Sequence, residues 1–151
     1  SFSLALTNPG GGKGLLDIID EYKGTPAANL ALYYAGIAYL NLGQFDAAID
    51  YLKDYNPKGQ VLPIMKFGAL GDAYSEKGDF KQAMSLYKKA ASTNPNEAVT
   101  PYYLKKIGLL HERTAEWEEA LKVYRQIKEK YPNSTDGRDI EKYIIRVEAK
   151  K

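Results

Sequence analysis

The chain has no cysteine and a single histidine, His111, among 151 residues. Without thiolates it cannot hold a cysteine-ligated zinc or iron–sulfur cluster, form a disulfide or use a thiol nucleophile. One imidazole also rules out a multi-histidine metal site. No apolar run reaches the roughly 18 residues that a transmembrane helix requires. The longest, Leu30 to Leu42, contains Gly36 and Asn41 and suits a buried helix. No signal peptide is recognisable at the start. Neither sign of charge dominates: 21 Lys+Arg stand against 19 Asp+Glu, a net +2 that by itself argues for no nucleic-acid partner. The first residue is Ser1 rather than Met, which reads as a piece of a longer protein with any anchor lying upstream.

What is present is ordinary globular material, 44% hydrophobic and 26% charged. The length suggests one domain, able to bury about 68–70% of its unfolded surface without a metal or disulfide. No cofactor is expected. Tyrosine is the anomaly, with 13 copies against 4 Phe and 1 Trp.

Self-similarity decides the architecture. Gly36, Gly71 and Gly108 open three copies of one pattern, spaced 35 and 37 residues apart. Tyr39, Tyr74 and His111 follow three residues on. Phe45, Phe80 and Trp117 follow nine on, then Ala48, Ala83 and Ala120, and then Leu52, Tyr87 and Tyr124. Pro95 and Pro132 close the second and third copies. Each copy reads as two helices. Small residues recur where two helix backbones approach, and the aromatic that opens the second helix fills the gap between them. Gly43 and Gly78 supply the left-handed turn that ends the first helix, and proline stops the second.

This spacing resembles the tetratricopeptide repeat, a helix–turn–helix unit of 34 residues with small residues at its eighth and twentieth positions. The likeness covers residues 26–132, divided as 26–60, 61–95 and 96–132. It departs at His111, where Tyr is usual, at Ala115, where the turn glycine is missing, and in the short second helix of the first copy, ending near Tyr55. The resemblance implies an all-α, right-handed α-solenoid. Residues 1–25 read as a leading half-repeat, with Lys13 to Tyr22 as a lone second helix. Residues 133–151 hold a capping helix with Ile140, Tyr143, Ile144 and Val147 on its apolar stripe and Arg138, Asp139, Lys142 and Arg146 on its polar face.

Other motifs point nowhere sharper. Pro9-Gly10-Gly11-Gly12-Lys13-Gly14 hints at a phosphate loop, and a glycine-loop nucleotide-binding protein or enzyme is the rival reading. A phosphate loop needs Ser or Thr after the Lys and a preceding strand, and a flexible turn fits better. His111 sits at a packing position with no evident partners for acid–base work, since the adjacent Glu112 points about 100° away. Glu116, Glu118 and Glu119 complement a helix dipole. Asn133-Ser134-Thr135 matches a glycosylation acceptor, a common tripeptide. Residues 101–151 carry 12 Lys+Arg and 9 Asp+Glu, which reads as a solvated helix face.

The resemblance also implies that first helices line a peptide-binding groove. Its groove positions are 2, 5, 9 and 12 of each repeat, and the candidates drawn from them are Leu30, Tyr33, Ile37, Leu40, Met65, Asp72, Tyr102, Lys105 and Leu109, with Lys106 beside them. Tyr33, Tyr34, Tyr102 and Tyr103 lie on these helices. The carboxylate clamp that chaperone adaptors in this family use needs Lys, Asn and Arg at positions held here by Tyr33, Ile37, Ala69, Tyr102 and Lys106. Only Lys106 keeps a suitable charge, so that function is not expected. Segments 29–36 and 131–134 resemble bacterial cell-envelope repeat proteins, among them the periplasmic ancillary subunit of the Sec translocon and the Tol–Pal-associated coordinator. The expectation is a non-catalytic module binding a protein or peptide, with no nucleic acid and no membrane insertion. The apolar side of Leu30, Tyr33, Ile37 and Leu40 is covered either by a partner or second copy, or by residues 1–12 through Phe2, Leu4 and Leu6.

Overall fold

A computed structural model describes residues 1–151. The chain is all-α, built of successive helix pairs in the manner of an α-solenoid. The helices are α1 (Phe2–Thr7), α2 (Leu15–Glu21), α3 (Pro26–Asn41), α4 (Phe45–Asp54), α5 (Leu62–Lys77), α6 (Phe80–Ser92), α7 (Thr100–Arg113), α8 (Trp117–Lys130) and α9 (Thr135–Glu148). None is long and apolar enough to cross a membrane. Two compact units, Ser1–Ala83 and Met84–Lys151, divide the chain within α6, where its length suggests one domain. Repeats touch only their neighbours, so no single core spans such a chain.

Helix limits follow from local chemistry. Thr25 caps α3 by accepting the Ala28 N–H at 3.2 Å, and Pro26 opens the helix. Ser134, the middle of the acceptor-like tripeptide, caps α9 by accepting the Gly137 N–H at 2.9 Å. The turns after α3, α5 and α7 share one geometry. Gly43, Gly78 and Ala115 all have positive φ, at 75°, 84° and 59°. The next residue's N–H reaches back to the carbonyl of Tyr39, Tyr74 or His111 at 2.9, 2.9 and 2.8 Å. Ala115 thus adopts the conformation that glycine takes in the other two copies.

In the first unit α3 is packed by α4, α2 and α1. Leu6 of α1 joins Ala35 and Ala38 in a core flanked by Leu15, Leu16, Ile19, Tyr39 and Tyr51. Where α3 crosses α4, a methyl on Gly36 would lie 2.5 Å from Leu52 Cγ, so any side chain there needs Leu52 to move. Asn29 ties α3 to the end of α4 through two 2.9 Å bonds with the backbone of Asn56. The Lys66 ammonium donates to the carbonyls of Lys53, at 2.9 Å, and Tyr55, closing the last turn of α4. The glycine-rich segment links α1 to α2 with no strand before it, and Lys13 turns back to Glu21 and the Tyr22 hydroxyl. That is a turn, not a phosphate cradle.

In the second unit α7 packs on α8, and α9 packs on both. Gly108 meets the Tyr124 ring as Gly36 meets Leu52. Helix α9 buries Ile140, Ile144 and Val147, and Tyr143 lies 5.7 Å from the Tyr124 ring.

Candidate partner-binding surfaces

In the first unit Leu30, Tyr34 and Asn41 are exposed on α3 and form a ridge with the half-buried Ile37, spaced 4, 3 and 4. Tyr34 is 52% and Leu30 44% exposed, high values for such large apolar side chains. Beside the ridge lies a groove of about 330 Å³, formed by Phe2 and Ala5 of α1, Leu15 and Ile18 of α2, and Tyr34, Ile37 and Ala38 of α3, with Lys13 at its edge. Residues 1–12 therefore do reach α3. They cover the flank around Ala35 and Ala38 and leave Leu30 and Tyr34 open.

Tyr33, one residue from the ridge, is half-buried with its ring 5.3 Å from Tyr55. Burial, with Tyr55, Tyr34 and Asp72 nearby, raises its phenol above the ordinary value. Leu40 is half-buried on the same flank of α3. On α5, Met65 is exposed and Asp72 half-buried.

In the second unit Tyr102 and Leu109 are exposed on α7. The Lys106 ammonium lies 5.1 Å from the Tyr102 ring and 5.7 Å from that of Tyr87. Tyr103 is buried, so it does not belong to this surface, despite its place on a first helix. Lys105 bonds Asp136 of α9 at 2.9 Å and ties α7 to α9. Burial alone would lower the Lys105 pKa, but the Asp136 carboxylate outweighs it and the net direction is upward. Arg146 pairs with Glu112, so the polar face expected on the last helix is partly turned inward onto α7.

His111 has the partner that its neighbourhood in sequence did not reveal. Its Nδ1 lies 2.7 Å from Glu116 Oε2, which also accepts the Thr114 hydroxyl at 2.8 Å. These bonds hold the Glu116 carboxyl below the usual carboxylate range. The pair straps the turn between α7 and α8.

One tetratricopeptide-repeat family model matches residues 30–56 and 106–134, and a second model of the same repeat matches 67–97. Together they cover more than half of the chain. The chain is a tetratricopeptide-repeat protein. No curated protein matches it significantly in sequence.

The repeat frame explains where each candidate falls. The outward stripe runs through positions 2, 6, 9 and 13: Leu30, Tyr34, Ile37 and Asn41 on α3, Met65, Ala69, Asp72 and Glu76 on α5, and Tyr102, Lys106, Leu109 and Arg113 on α7. Ala69 is its one buried member. At 100° per residue this stripe is rotated about 50° from the expected positions 2, 5, 9 and 12. On α3 and α7 these positions meet later parts of the chain: Tyr33 meets Tyr55, just past α4, and Lys105 and Glu112 meet Asp136 and Arg146 of α9. Tyr34 is the residue that the sequence reading passed over as a site. Its signal was there, four residues after Leu30 and three before Ile37.

Proposed function

We propose that the chain is a non-catalytic interaction module that binds a peptide or a helix of a partner protein on the apolar ridge of α3 in its first unit. Tetratricopeptide repeats generally mediate protein–protein interaction. The observation that carries the reading is the Leu30–Tyr34–Ile37 ridge beside an apolar groove, a surface costly to leave in water. Leucine, tyrosine and isoleucine anchors at i, i+4 and i+7 suit an apolar strip on an extended or helical ligand.

Selection of a random peptide library on the full chain tests this. Enriched peptides should bind the native chain and lose binding to the double variant Tyr34→Ala, Ile37→Ser, with helical circular dichroism unchanged. Peptides that bind both equally would move the site elsewhere. Self-association is the second reading, favoured by the exposure of Phe2 and Leu4 on α1. Light scattering across a concentration series measures it. A cell-envelope setting rests on segments 29–36 and 131–134 alone, and fractionation of the source cells tests it.

A further inference from the structure

Helix α1 is the shortest of the chain. Its six residues fall below the roughly 12–15 at which an isolated helix holds, so it keeps its shape only against α2 and α3. Leu6 is its one buried side chain, set on Ala35 and Ala38, while Phe2 and Leu4 stay exposed. Helix α9, at the other end of the chain, shows what a fitted terminal helix does: it has 14 residues and buries Ile140, Ile144 and Val147.

The seat of α1 is larger than its occupant. Leu15, Leu16, Ile18 and Ile19 on α2 are only half-buried with α1 in place. The groove of about 330 Å³ is bounded by Phe2 and Ala5 of α1 as well as by α2 and α3, so apolar space stays open between α1 and its seat. The tether allows α1 to leave alone. Residues 8–12 are Asn-Pro-Gly-Gly-Gly, all exposed, and glycine-rich chain behaves as a flexible coil. The next two residues are pinned to α2: Lys13 bonds Glu21 and the Tyr22 hydroxyl, and the Gly14 N–H donates to Asp17 at 2.9 Å. Release of α1 therefore stops at Lys13 and leaves α2 in place.

We propose that the α2–α3 seat is a docking site for an apolar helix of a partner protein, and that α1 is its built-in, displaceable occupant. The proposal rests on the interaction reading above, because the groove reaches the α3 ridge at Tyr34 and Ile37, and it adds what the partner must displace. The chemistry of the incoming helix is the one α1 already presents: Phe2, Ala5 and Leu6, at i, i+3 and i+4, line or fill the seat. A longer helix with the same face reaches the apolar space that α1 leaves open. Charge does not select the occupant, since Lys13 at the groove edge is already paired with Glu21. Only chains with α1 unseated accept the partner, so the apparent affinity is reduced by the fraction of time that α1 is away from its seat.

The probe is a labelled synthetic peptide of four helical turns that repeats Phe, Ala and Leu at i, i+3 and i+4, with Lys and Glu elsewhere; its control has the same composition scrambled. Fluorescence anisotropy compares the full native chain with Leu6→Ala, which loosens α1 and leaves every seat residue of α2 and α3 unchanged. The native chain should bind the probe and not the scrambled peptide, and Leu6→Ala should bind the probe about tenfold more tightly. A nitroxide on Ser3→Cys reports α1 directly, because the chain has no other cysteine and Ser3 is exposed. Its spectrum should sharpen when the probe binds and α1 comes free. Circular dichroism and the melting midpoint establish that both variants fold. Three results overturn the proposal: equal or weaker binding by Leu6→Ala, a nitroxide spectrum that broadens or stays unchanged as the probe saturates the chain, or no preference for the probe over the scrambled peptide. Light scattering tests the rival occupant: a native dimer that Leu6→Ala converts to monomer places α1 in the seat of a second copy, and that also overturns it. If library-selected peptides still depend on Tyr34 and Ile37 in any of these events, only the displacement of α1 fails and the general interaction reading stands.

Discussion

Helix α3 carries no charged residue in 16 positions, whereas α7 carries four and His111 in 14. Both are first helices of one repeat frame, both end in a left-handed turn, and both press a glycine onto the partner helix. The difference lies in what surrounds them. Helix α3 has α4 on one side and α1 and α2 on others, so nearly every face meets apolar atoms. Helix α7 spends its charges at position 5, on Asp136, and at position 12, against Arg146, because α9 offers charged partners there. The repeat fixes which residues touch within a pair. The neighbours outside the pair fix the rest, and each first helix is written for its own neighbours.

The terminal helices should separate the two regions most sharply. Deleting residues 134–151 uncovers the surface on which Ile140, Ile144 and Val147 are buried. At about 2 kcal/mol for each, the loss is on the order of 6 kcal/mol, and the second unit should unfold or aggregate. Deleting residues 1–8 removes one buried side chain, Leu6, and should cost about 2 kcal/mol. Urea unfolding of both truncations measures the difference. Equal losses would break the comparison.

The close-approach glycines come next. A methyl at 108 meets a rigid, buried aromatic ring, whereas a methyl at 36 meets the side chain of Leu52, which can rotate. Overpacking of about 3 kcal/mol, less about 1 kcal/mol gained in helix propensity, leaves Gly108→Ala destabilised by about 2 kcal/mol. Gly36→Ala should lose less than about 1 kcal/mol by the same reckoning. A larger loss at 36 than at 108 would show that Leu52 is locked.

The turns give a smaller effect of opposite sign. Ala115 holds φ 59°, which costs an ordinary residue about 1 kcal/mol, so Ala115→Gly should stabilise the chain by about that amount. Gly43→Ala, at φ 75°, should destabilise it by a similar amount. Thermal melts of the pair should move in opposite directions.

The pairing of helices was legible because small residues, aromatics and glycines recur where backbones must approach, and these demands are local to the repeat. The bounds of α3 could be read from Pro26 and Gly43. The outward stripe was less legible. Positions 5 and 6 differ by 100° on a helix, and only the neighbour decides which of them is covered: Tyr33 found Tyr55, and Tyr34 was left open. The charged ties were not legible at all. Lys105 to Asp136 and Glu112 to Arg146 each span more than 30 residues, and no periodicity within one helix predicts a partner in another.

The smallest expected effect concerns the strap at His111. Position 16 of the repeat is Gln44 in the first copy and Glu116 in the third, and position 11 is Tyr39 and His111. Glu116→Gln therefore gives the third turn the uncharged side chain that the first already has. The Glu116 carboxyl is held below its ordinary pKa by the His111 and Thr114 bonds. A depressed carboxylate adds stability that is fully present above the unfolded value, about 4.3, and is lost as pH falls through the folded value. The native chain should thus exceed the variant in stability at neutral pH, and the gap should close as pH drops below about 4. Because the carboxylate is exposed, the gap is small and should shrink further in high salt. Urea midpoints of both chains across the acid range measure it. The converse change, Gln44→Glu, places a carboxylate where Tyr39 replaces the histidine and should show no such gap. A pH-independent difference at 116, or an equal gap at 44, would mean that the His111–Glu116 bond does not distinguish the third turn from the first.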